Sequence, residues 1–236
     1  MDAFRAGRPT TFTKRVGDPL VAFDQYQFGW FLQDDFRPRK GISVSLGLRH
    51  ELQSHLPDRD NLAPRVGLAW SPFPDGKTTI RAGAGIFYDW LASEVVEQTL
   101  RVDGVRQHDI VILNPGFPNP LAGGLQVALP PSRMTLEPGM RMPYLEQMSV
   151  GLERQLPKKS QLRASYFYQR GVHLLRGHNI NAPMPGLGRP DPGAGNITQI
   201  ESTANSALQG FTVNLSQFGS GDWQASRIVP SQPGLL

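Results

Sequence analysis

The chain has 236 residues, of which 39% are hydrophobic and none is cysteine. No apolar run approaches the roughly 18 residues that a membrane-spanning helix needs, which excludes helical membrane insertion; the lack of cysteine excludes disulfides and thiolate metal sites. The net charge of +4 comes from scattered basic residues, which speaks against a nucleic-acid-binding surface.

Seven segments alternate apolar residues with polar residues or glycine at a period of two. Successive side chains of a strand point to opposite faces, so each segment is predicted to be a strand with one apolar face and one polar face. Phe31 and Phe167 interrupt the alternation. In chain order, the apolar positions are Tyr26, Phe28, Trp30 and Leu32; Ile42, Val44, Leu46 and Leu48; Val66, Leu68 and Trp70; Ile80, Ala82, Ala84, Ile86 and Tyr88; Met148, Val150 and Leu152; Leu162, Ala164, Tyr166 and Tyr168; and Phe211, Val213 and Leu215.

The connections between these segments alternate in length. Residues 37–41, 72–77 and 156–159 form short turns, whereas 51–61, 90–143 and 172–205 form longer loops. A meander with all short turns at one end is the plan of an outer-membrane barrel. The prediction is therefore an all-β fold, an antiparallel up-and-down meander of about seven or eight strands forming part of a larger outer-membrane β-barrel. The alternative is a soluble or secreted β-sandwich that binds carbohydrate or protein through its long loops.

Aromatic residues fall near the ends of the predicted strands. Rings with one polar edge favour the boundary between membrane and water, so they are predicted to form two interfacial girdles. At the short-turn end these are Phe36, Trp70 and Phe73, and at the opposite end Tyr88, Trp90, Tyr144 and Tyr168.

The longest loop contains Asp103-Gly104, a pair that suits a type I′ turn and predicts a protruding hairpin. Alternatively, Ser93 caps a short helix over residues 94–100. Cationic residues in the long loops are candidates for contacts with an anionic ligand or with lipopolysaccharide phosphates, against the simpler interpretation of a solvated charged rim. They are Arg101, Arg106, Arg133, Arg141, His173 and Arg176.

Chemical motifs are weak throughout. His50 and His55 flank a Glu, but their spacing of five does not bring them to one face of a helix, as a zinc motif of this kind requires. Asp34 and Asp35 are adjacent on a strand and face opposite ways, so they do not form an acid–base pair. No catalytic, cofactor-binding or metal-binding residue is predicted, and the chain is not expected to be an enzyme.

Several short sequence segments, taken together and in this order, resemble those of a known family. They are Gly29-Trp30-Phe31-Leu32-Gln33-Asp34-Asp35-Phe36, Leu46-Gly47-Leu48-Arg49-His50-Glu51, Asn61-Leu62-Ala63-Pro64-Arg65-Val66-Gly67-Leu68-Ala69-Trp70, Asp75-Gly76-Lys77-Thr78, Arg81-Ala82-Gly83-Ala84-Gly85-Ile86-Phe87-Tyr88-Asp89, Gln155-Leu156-Pro157 and Asn179-Ile180-Asn181. Over residues 26–215 the chain resembles the C-terminal barrel region of TonB-dependent receptors of the Oar-like type. The resemblance implies an outer-membrane barrel of about 22 strands with a plug inside, and uptake of a ligand powered through TonB. It implies lipid, lipopolysaccharide, the remaining barrel and plug, and TonB as partners.

The chain departs from that family pattern at both ends. The first residues show no signal peptide, plug or TonB-contacting segment, so either the protein stays in the cytoplasm or the true start lies upstream. Residues 1–20 are predicted to be irregular, 21–216 to be a partial barrel, and 217–236 to be a divergent or truncated tail. We expect a barrel-wall segment that is not transport-competent alone.

Overall fold

The computed structural model describes Gly7, residues 9–217 and residues 223–230. The chain divides into two compact units. The wall unit comprises Gln25–Leu91, Gly139–Leu175 and Ser202–Leu236, and the connection unit comprises Met1–Asp24, Ala92–Pro138 and Arg176–Glu201.

Within the described residues there are twelve strands, one α-helix and a short 3₁₀ helix at Pro120–Ala122. The helix α1 spans Ser93–Arg101. The strands are β1 (Thr11–Gly17), β2 (Gln27–Arg39), β3 (Ile42–Gln53), β4 (Leu62–Trp70), β5 (Thr78–Tyr88), β6 (Gln107–Leu113), β7 (Leu125–Ala128), β8 (Arg133–Leu136), β9 (Tyr144–Leu156), β10 (Ser160–Asn179), β11 (Ile197–Gln217) and β12 (Trp223–Pro230). No helix in the described part of the chain is long and apolar enough to cross a membrane.

The principal sheet is a meander. Its strands are hydrogen-bonded in the order β12-β11-β10-β9-β5-β4-β3-β2. The pairs β2–β3, β3–β4, β4–β5, β5–β9, β9–β10 and β11–β12 are antiparallel. Apart from β5 and β9, which residues 89–143 connect, neighbours in the sheet are neighbours in the chain. The predicted all-β, up-and-down architecture is confirmed, and all seven predicted strands are present.

The short turns have local causes. Gly41 follows β2 with φ of +80°, where a Cβ would lie 2.8 Å from the Ser71 carbonyl oxygen, so only glycine fits. Lys158 and Lys159 both adopt the left-handed conformation between β9 and β10. Asp75 Oδ1 accepts a hydrogen bond of 3.1 Å from the Lys77 backbone N–H between β4 and β5. These turns fix the register of the strands that they join.

The connection unit holds a second sheet. In it β1 pairs antiparallel with β6 along its whole length, and β6 pairs with β7. We predicted that residues 1–20 are irregular, but residues 11–17 of that segment form β1. Residues 1–6 and 8 lie outside the described residues. The partner strand of β1, which is β6, lies far along the chain, so no local sequence pattern predicts the pairing.

The predicted hairpin at Asp103-Gly104 is wrong, and the alternative helix is correct. Residues before the turn belong to α1, whose N-cap is Ala92 rather than Ser93. Asp103 Oδ1 accepts hydrogen bonds of 2.8 Å from the backbone N–H groups of Val105 and Arg106, which forms a turn after the helix.

Two further predictions need correction. The loop 172–205 is shorter than expected, since β10 runs to Asn179 and β11 begins at Ile197. The tail 217–236 contains β12, which pairs with β11 from Gly210 to Gln217. Residues 218–222 and 231–236 of that prediction lie outside the described residues.

The buried apolar side chains do not lie along the middle of the principal sheet. In the wall unit they lie in the long connections or in the strand rows next to them, and they are Leu56, Ala63, Leu91, Met140, Met142 and Val172. In the connection unit they are Val96, Ile112, Ala194 and Ile197. The central parts of the wall strands therefore have no protein core of their own among the described residues.

Candidate functional site

The register of the wall strands sorts their side chains into two faces. From β2 to β10, even-numbered residues oppose even-numbered residues and odd oppose odd, apart from an irregularity near Arg39. The even positions form the apolar face. One row across it is Leu46, Val66, Ala84, Met148 and Tyr168, and the next is Val44, Leu68, Ala82, Val150 and Tyr166.

This apolar face is open to the surroundings. Leu46, Val66, Met148 and Val150 are each between 47% and 50% exposed. Full transfer of such a side chain out of water is worth about 1.5–3 kcal/mol, and contiguous exposed apolar surfaces mark contacts with a membrane or another protein. A sandwich would bury these positions against a second sheet. The structure therefore favours a membrane wall over the sandwich alternative.

The odd positions form the polar face. All five glycines of β3, β4, β5 and β9 lie on it, namely Gly47, Gly67, Gly83, Gly85 and Gly151. Arg81 and Arg163 each approach the Glu153 carboxylate to 3.8 Å on this face. Small and charged side chains of this kind suit a water-filled lumen.

The wall strands have the length that a bilayer requires. β9 has 13 residues. At about 3.4 Å per residue and a tilt of about 40°, such a strand rises about 31 Å, against a hydrocarbon thickness of about 30 Å. On the apolar face of β9, the residues near both ends of the strand are charged and bind polar side chains of neighbouring strands. Arg154 donates to Thr78 Oγ1 at 3.1 Å, and Glu146 lies 3.6 Å from Arg170.

The aromatic residues of the short-turn end lie near one another in register. Trp70 pairs with Ile42 and Ile80 on the apolar face. Phe36 pairs with Val44, one row further along the same face. Phe73 follows β4 in the turn and is 52% exposed. Their role as a membrane-interface girdle stays a prediction.

At the other end, Tyr88 and Tyr144 are directly paired, and their ring centroids lie 5.2 Å apart. The His173 ring meets Tyr144 edge-on at 5.5 Å. Trp90 follows β5 and is half-buried. Tyr168 does not join them, since it pairs with Met148, four residues along β10 from the Tyr144–Val172 pair. The sequence pattern misplaced Tyr168 because β10 continues well beyond it.

The loop arginines do not form a single cationic cluster. Arg101 is ion-paired with Glu97, Arg106 with Asp103 at 3.6 Å, and Arg176 with Glu201 at 3.1 Å. Arg133 and Arg141 form no ion pair with any described residue. Arg133 begins β8 in the connection unit, whereas Arg141 is an exposed residue of the wall unit between buried Met140 and Met142.

Two carboxylates of the connection unit, Asp103 and Asp109, have pKa values below the ordinary value. Backbone N–H groups of Arg106 and Val105 hold the pKa of Asp103 below its ordinary value. A hydrogen bond from Arg15 lowers the pKa of Asp109, and the same contact raises the pKa of Arg15. These carboxylates compensate neighbouring cations, which leaves less free positive charge than the sequence alone indicated.

His50 and His55, which flank a Glu as in a zinc motif, have other surroundings. His50 Nε2 lies 2.8 Å from the Arg59 carbonyl oxygen, and its ring lies 6.0 Å from that of Trp30. His55 occupies a left-handed turn position. Across residues 9–217 and 223–230, no three His, Asp or Glu side chains come together as a metal site.

The structure also contains buried polar contacts that no sequence motif predicted. Gln53 is 1% exposed, accepts a hydrogen bond from the Leu91 backbone N–H at 2.9 Å, and donates to the Leu91 carbonyl at 2.8 Å. Asn61, also 1% exposed, donates to the Glu51 carbonyl at 3.0 Å. These contacts fasten the long connections to the strand ends.

Comparison with known proteins agrees with this geometry. The profile of the family described as "Outer membrane beta barrel domain" matches residues 55–226. A search among curated proteins finds no match.

Three of the similar solved structures are an outer membrane transporter, a ferric enterobactin receptor and a siderophore receptor. The outer membrane transporter YddB from Escherichia coli shares 14% identity over 81% of this chain and 21% of its own, with a TM-score of 0.62. A mutant of the ferric enterobactin receptor PfeA from Pseudomonas aeruginosa, in complex with enterobactin, shares 15% identity over 88% of this chain and 27% of its own, with a TM-score of 0.60. The siderophore receptor PirA from Acinetobacter baumannii shares 14% identity over 87% of this chain and 27% of its own, also at 0.60.

These likenesses establish the fold, and the chain spans only 21–27% of the length of the structures it matches. The family profile covers well over half of the chain. The chain therefore belongs to the outer membrane β-barrel domain family, and its location is the outer membrane.

Proposed function

We propose that the chain forms part of the wall of an outer-membrane receptor or transporter of the TonB-dependent type. The observation that carries the proposal is the exposed apolar face opposite a glycine-rich polar face, on strands long enough to cross a bilayer. The sequence segments that resemble Oar-like receptors, and their order in the chain, support the Oar-like subtype. The proposal assigns no catalytic step to the chain.

The two faces give the wall its role. The apolar face lies in the hydrocarbon, and the polar face lines a water-filled interior that holds a plug. The side with the long connections, including the exposed Arg133 and Arg141, faces lipopolysaccharide, and the short turns face the compartment in which TonB acts.

The β2 edge of the wall is unpaired within the described strands, which supports pairing with further strands. Among the described strands, β2 pairs only with β3, so one side of its 13-residue backbone is unpaired. An unpaired backbone N–H or C=O in lipid costs several kcal/mol. We therefore propose that further barrel strands cover this edge, and that the wall does not transport a ligand by itself.

Fractionation of cells that make the protein tests the proposal. The chain should follow the outer-membrane fraction, remain there after extraction with alkaline carbonate, and migrate differently on gels before and after heating. Envelope material that contains the chain should also be retained by the immobilised periplasmic domain of TonB. A chain recovered as a soluble monomer would remove the membrane proposal, while an outer-membrane chain without TonB retention would remove only the energy-coupling part.

A further inference from the structure

The polar face of β2 to β10 carries three aromatic side chains, Phe31, Phe87 and Phe167. Phe87 in β5 and Phe167 in β10 occupy odd positions, on a face that otherwise carries mainly glycine, serine, amide and charged side chains. Both line one groove of about 310 Å³ within the wall unit, together with Arg65, Gln147 and Gln169. Phe167, which interrupts the sequence alternation, thus lines the same groove as Phe87.

The polar groups of this groove share one register row. Arg65 pairs with Gly85, Gly85 with Gln147, and Gln147 with Gln169. Two strand spacings separate Arg65 from Gln147, which is about 9.6 Å. The row therefore places a cation on one side of a glycine floor and two amides on the other.

Arg65 differs from the other arginines of the polar face. Its guanidinium carbon lies 4.3 Å from the centre of the Phe87 ring, a cation–π contact that holds the group in place. Arg81 and Arg163 both approach Glu153, whereas no carboxylate of the described residues lies within ion-pair distance of Arg65. Its charge remains available to an anion.

Glycines make room for these side chains. A Cβ at Gly210 would lie 2.5 Å from Phe167 Cζ, so only glycine lets that ring take its position. A Cβ at Gly85 would lie 3.1 Å from Arg65 Cγ and 3.2 Å from Phe87 Cε2. A Cβ at Gly83, by contrast, would lie 3.6 Å from its nearest neighbour, the Val66 carbonyl oxygen, so the floor of the groove is open there.

From this geometry we propose that the groove is a subsite for an organic anion with a planar apolar part. A guanidinium pairs with a carboxylate or phosphate, the glutamine amides donate and accept hydrogen bonds, and the phenyl rings cover an apolar group. The size and the mixture of aromatic walls with few polar groups match small-molecule sites. The inference rests on the proposed function, since it requires the polar face to line the interior that solutes enter.

Phenylphosphate is a suitable probe for the purified full-length chain in detergent, with binding followed by saturation-transfer NMR. We expect Arg65→Gln to weaken phenylphosphate binding at least fivefold. Gly83→Ala should also weaken it, because the added methyl group fits the sheet but fills the floor. The matched control is Arg81→Gln, which removes the same charge from the same face and should change the affinity less than twofold. Benzylamine, an aromatic cation, should not bind.

Equal weakening by Arg65→Gln and Arg81→Gln would overturn the proposal, since it would indicate a general charge effect. Undiminished binding in Arg65→Gln, or equal binding of benzylamine, would overturn it as well. Absence of phenylphosphate binding in the unaltered chain, as expected if a polypeptide segment fills the groove instead, would do the same. None of these results affects the outer-membrane location measured by fractionation, so the two proposals fail separately.

Discussion

Val150 offers a sharp test of the lipid-facing surface, through the substitution Val150→Arg. Val150 is the midpoint of β9, six residues from Tyr144 and six from Leu156, and it is 48% exposed on the apolar face. Six residues correspond to about 20 Å along the strand and, at a tilt of about 40°, to about 15 Å of height, which is half the hydrocarbon thickness. Arginine at the midplane of a barrel costs about 2–4 kcal/mol, or roughly 30- to 800-fold in the folding equilibrium.

The assay is urea unfolding of the chain from phospholipid vesicles, followed by tryptophan fluorescence. The matched control is Ser149→Arg, the adjacent residue on the polar face, which should cost less than about 1 kcal/mol because its side chain enters water. A cost for Val150→Arg that equals that of Ser149→Arg would refute the assignment of the faces. So would a cost of the same size for Val150→Arg in lipid-free solution, because the site would then be a protein core.

Three further predictions concern the connections. Gln53→Ala should leave the Leu91 backbone N–H unpaired at a cost of about 1–3 kcal/mol, whereas the Leu91 carbonyl oxygen keeps a 2.9 Å hydrogen bond from Gln25. Hydrogen exchange of the Leu91 amide should therefore be faster in Gln53→Ala than in Gln25→Ala, because Gln25 bonds only to the carbonyl; equal exchange in both variants would contradict this. Asn181 is 1% exposed and donates hydrogen bonds to three backbone carbonyls of residues 191–195. Asn181→Ala should therefore make residues 180–196 susceptible to proteolysis while the wall strands remain resistant. An unchanged cleavage pattern would contradict this role of Asn181. The pKa of Asp109 is lowered, so its pairing with Arg15 stabilises the β1–β6 contact above the ordinary carboxyl pKa of about 3.9 and is lost as pH falls through the lower folded value. Because the pair is exposed, Asp109→Asn should cost only about 0.2–1 kcal/mol at neutral pH and remove this pH dependence, as measured by exchange of the β6 amides; a pH dependence that persists would contradict the assignment.

The wall strands were predictable because their pattern is local. Apart from the β5–β9 pair, the wall strands pair with chain neighbours, in part through turns such as Lys40-Gly41 and Lys158-Lys159. The alternation in Ile42–Gln53 or Thr78–Tyr88 alone assigns the two faces. The order of short and long connections then indicates the meander. None of this requires knowledge of distant contacts.

The connection unit was not predictable in the same way. β1 has no partner within the neighbouring sequence, and β8 pairs in parallel with β11, from Arg133 with Ile197 to Leu136 with Ile200. The outer part of β10 lacks alternation, and Arg176 and His178 hold Glu201 of β11 through hydrogen bonds of 3.0–3.2 Å. Such pairings depend on which distant segments meet, which composition and periodicity do not encode.

The groove around Arg65 shows the same limit at the level of a site. Its sequence signals are Phe167, where the alternation breaks, and Phe87, which stands among the polar-face positions of its strand. Nothing local indicates that the two rings line one groove, because β5 and β10 are separated in the sheet by β9. Only the structure shows that both rings line the groove.

A cysteine scan of β9 from Gln147 to Leu152 tests whether the even-numbered side chains of the wall face lipid, since the chain has no cysteine of its own. In isolated outer membranes, a water-soluble maleimide should label residues 147, 149 and 151 rapidly, while residues 148, 150 and 152 should react only after the lipid is replaced by denaturant. Equal labelling of both sets in the membrane would contradict a lipid-facing wall. Protection of the even set in a lipid-free, soluble chain would contradict it too, because protein would then cover the apolar face.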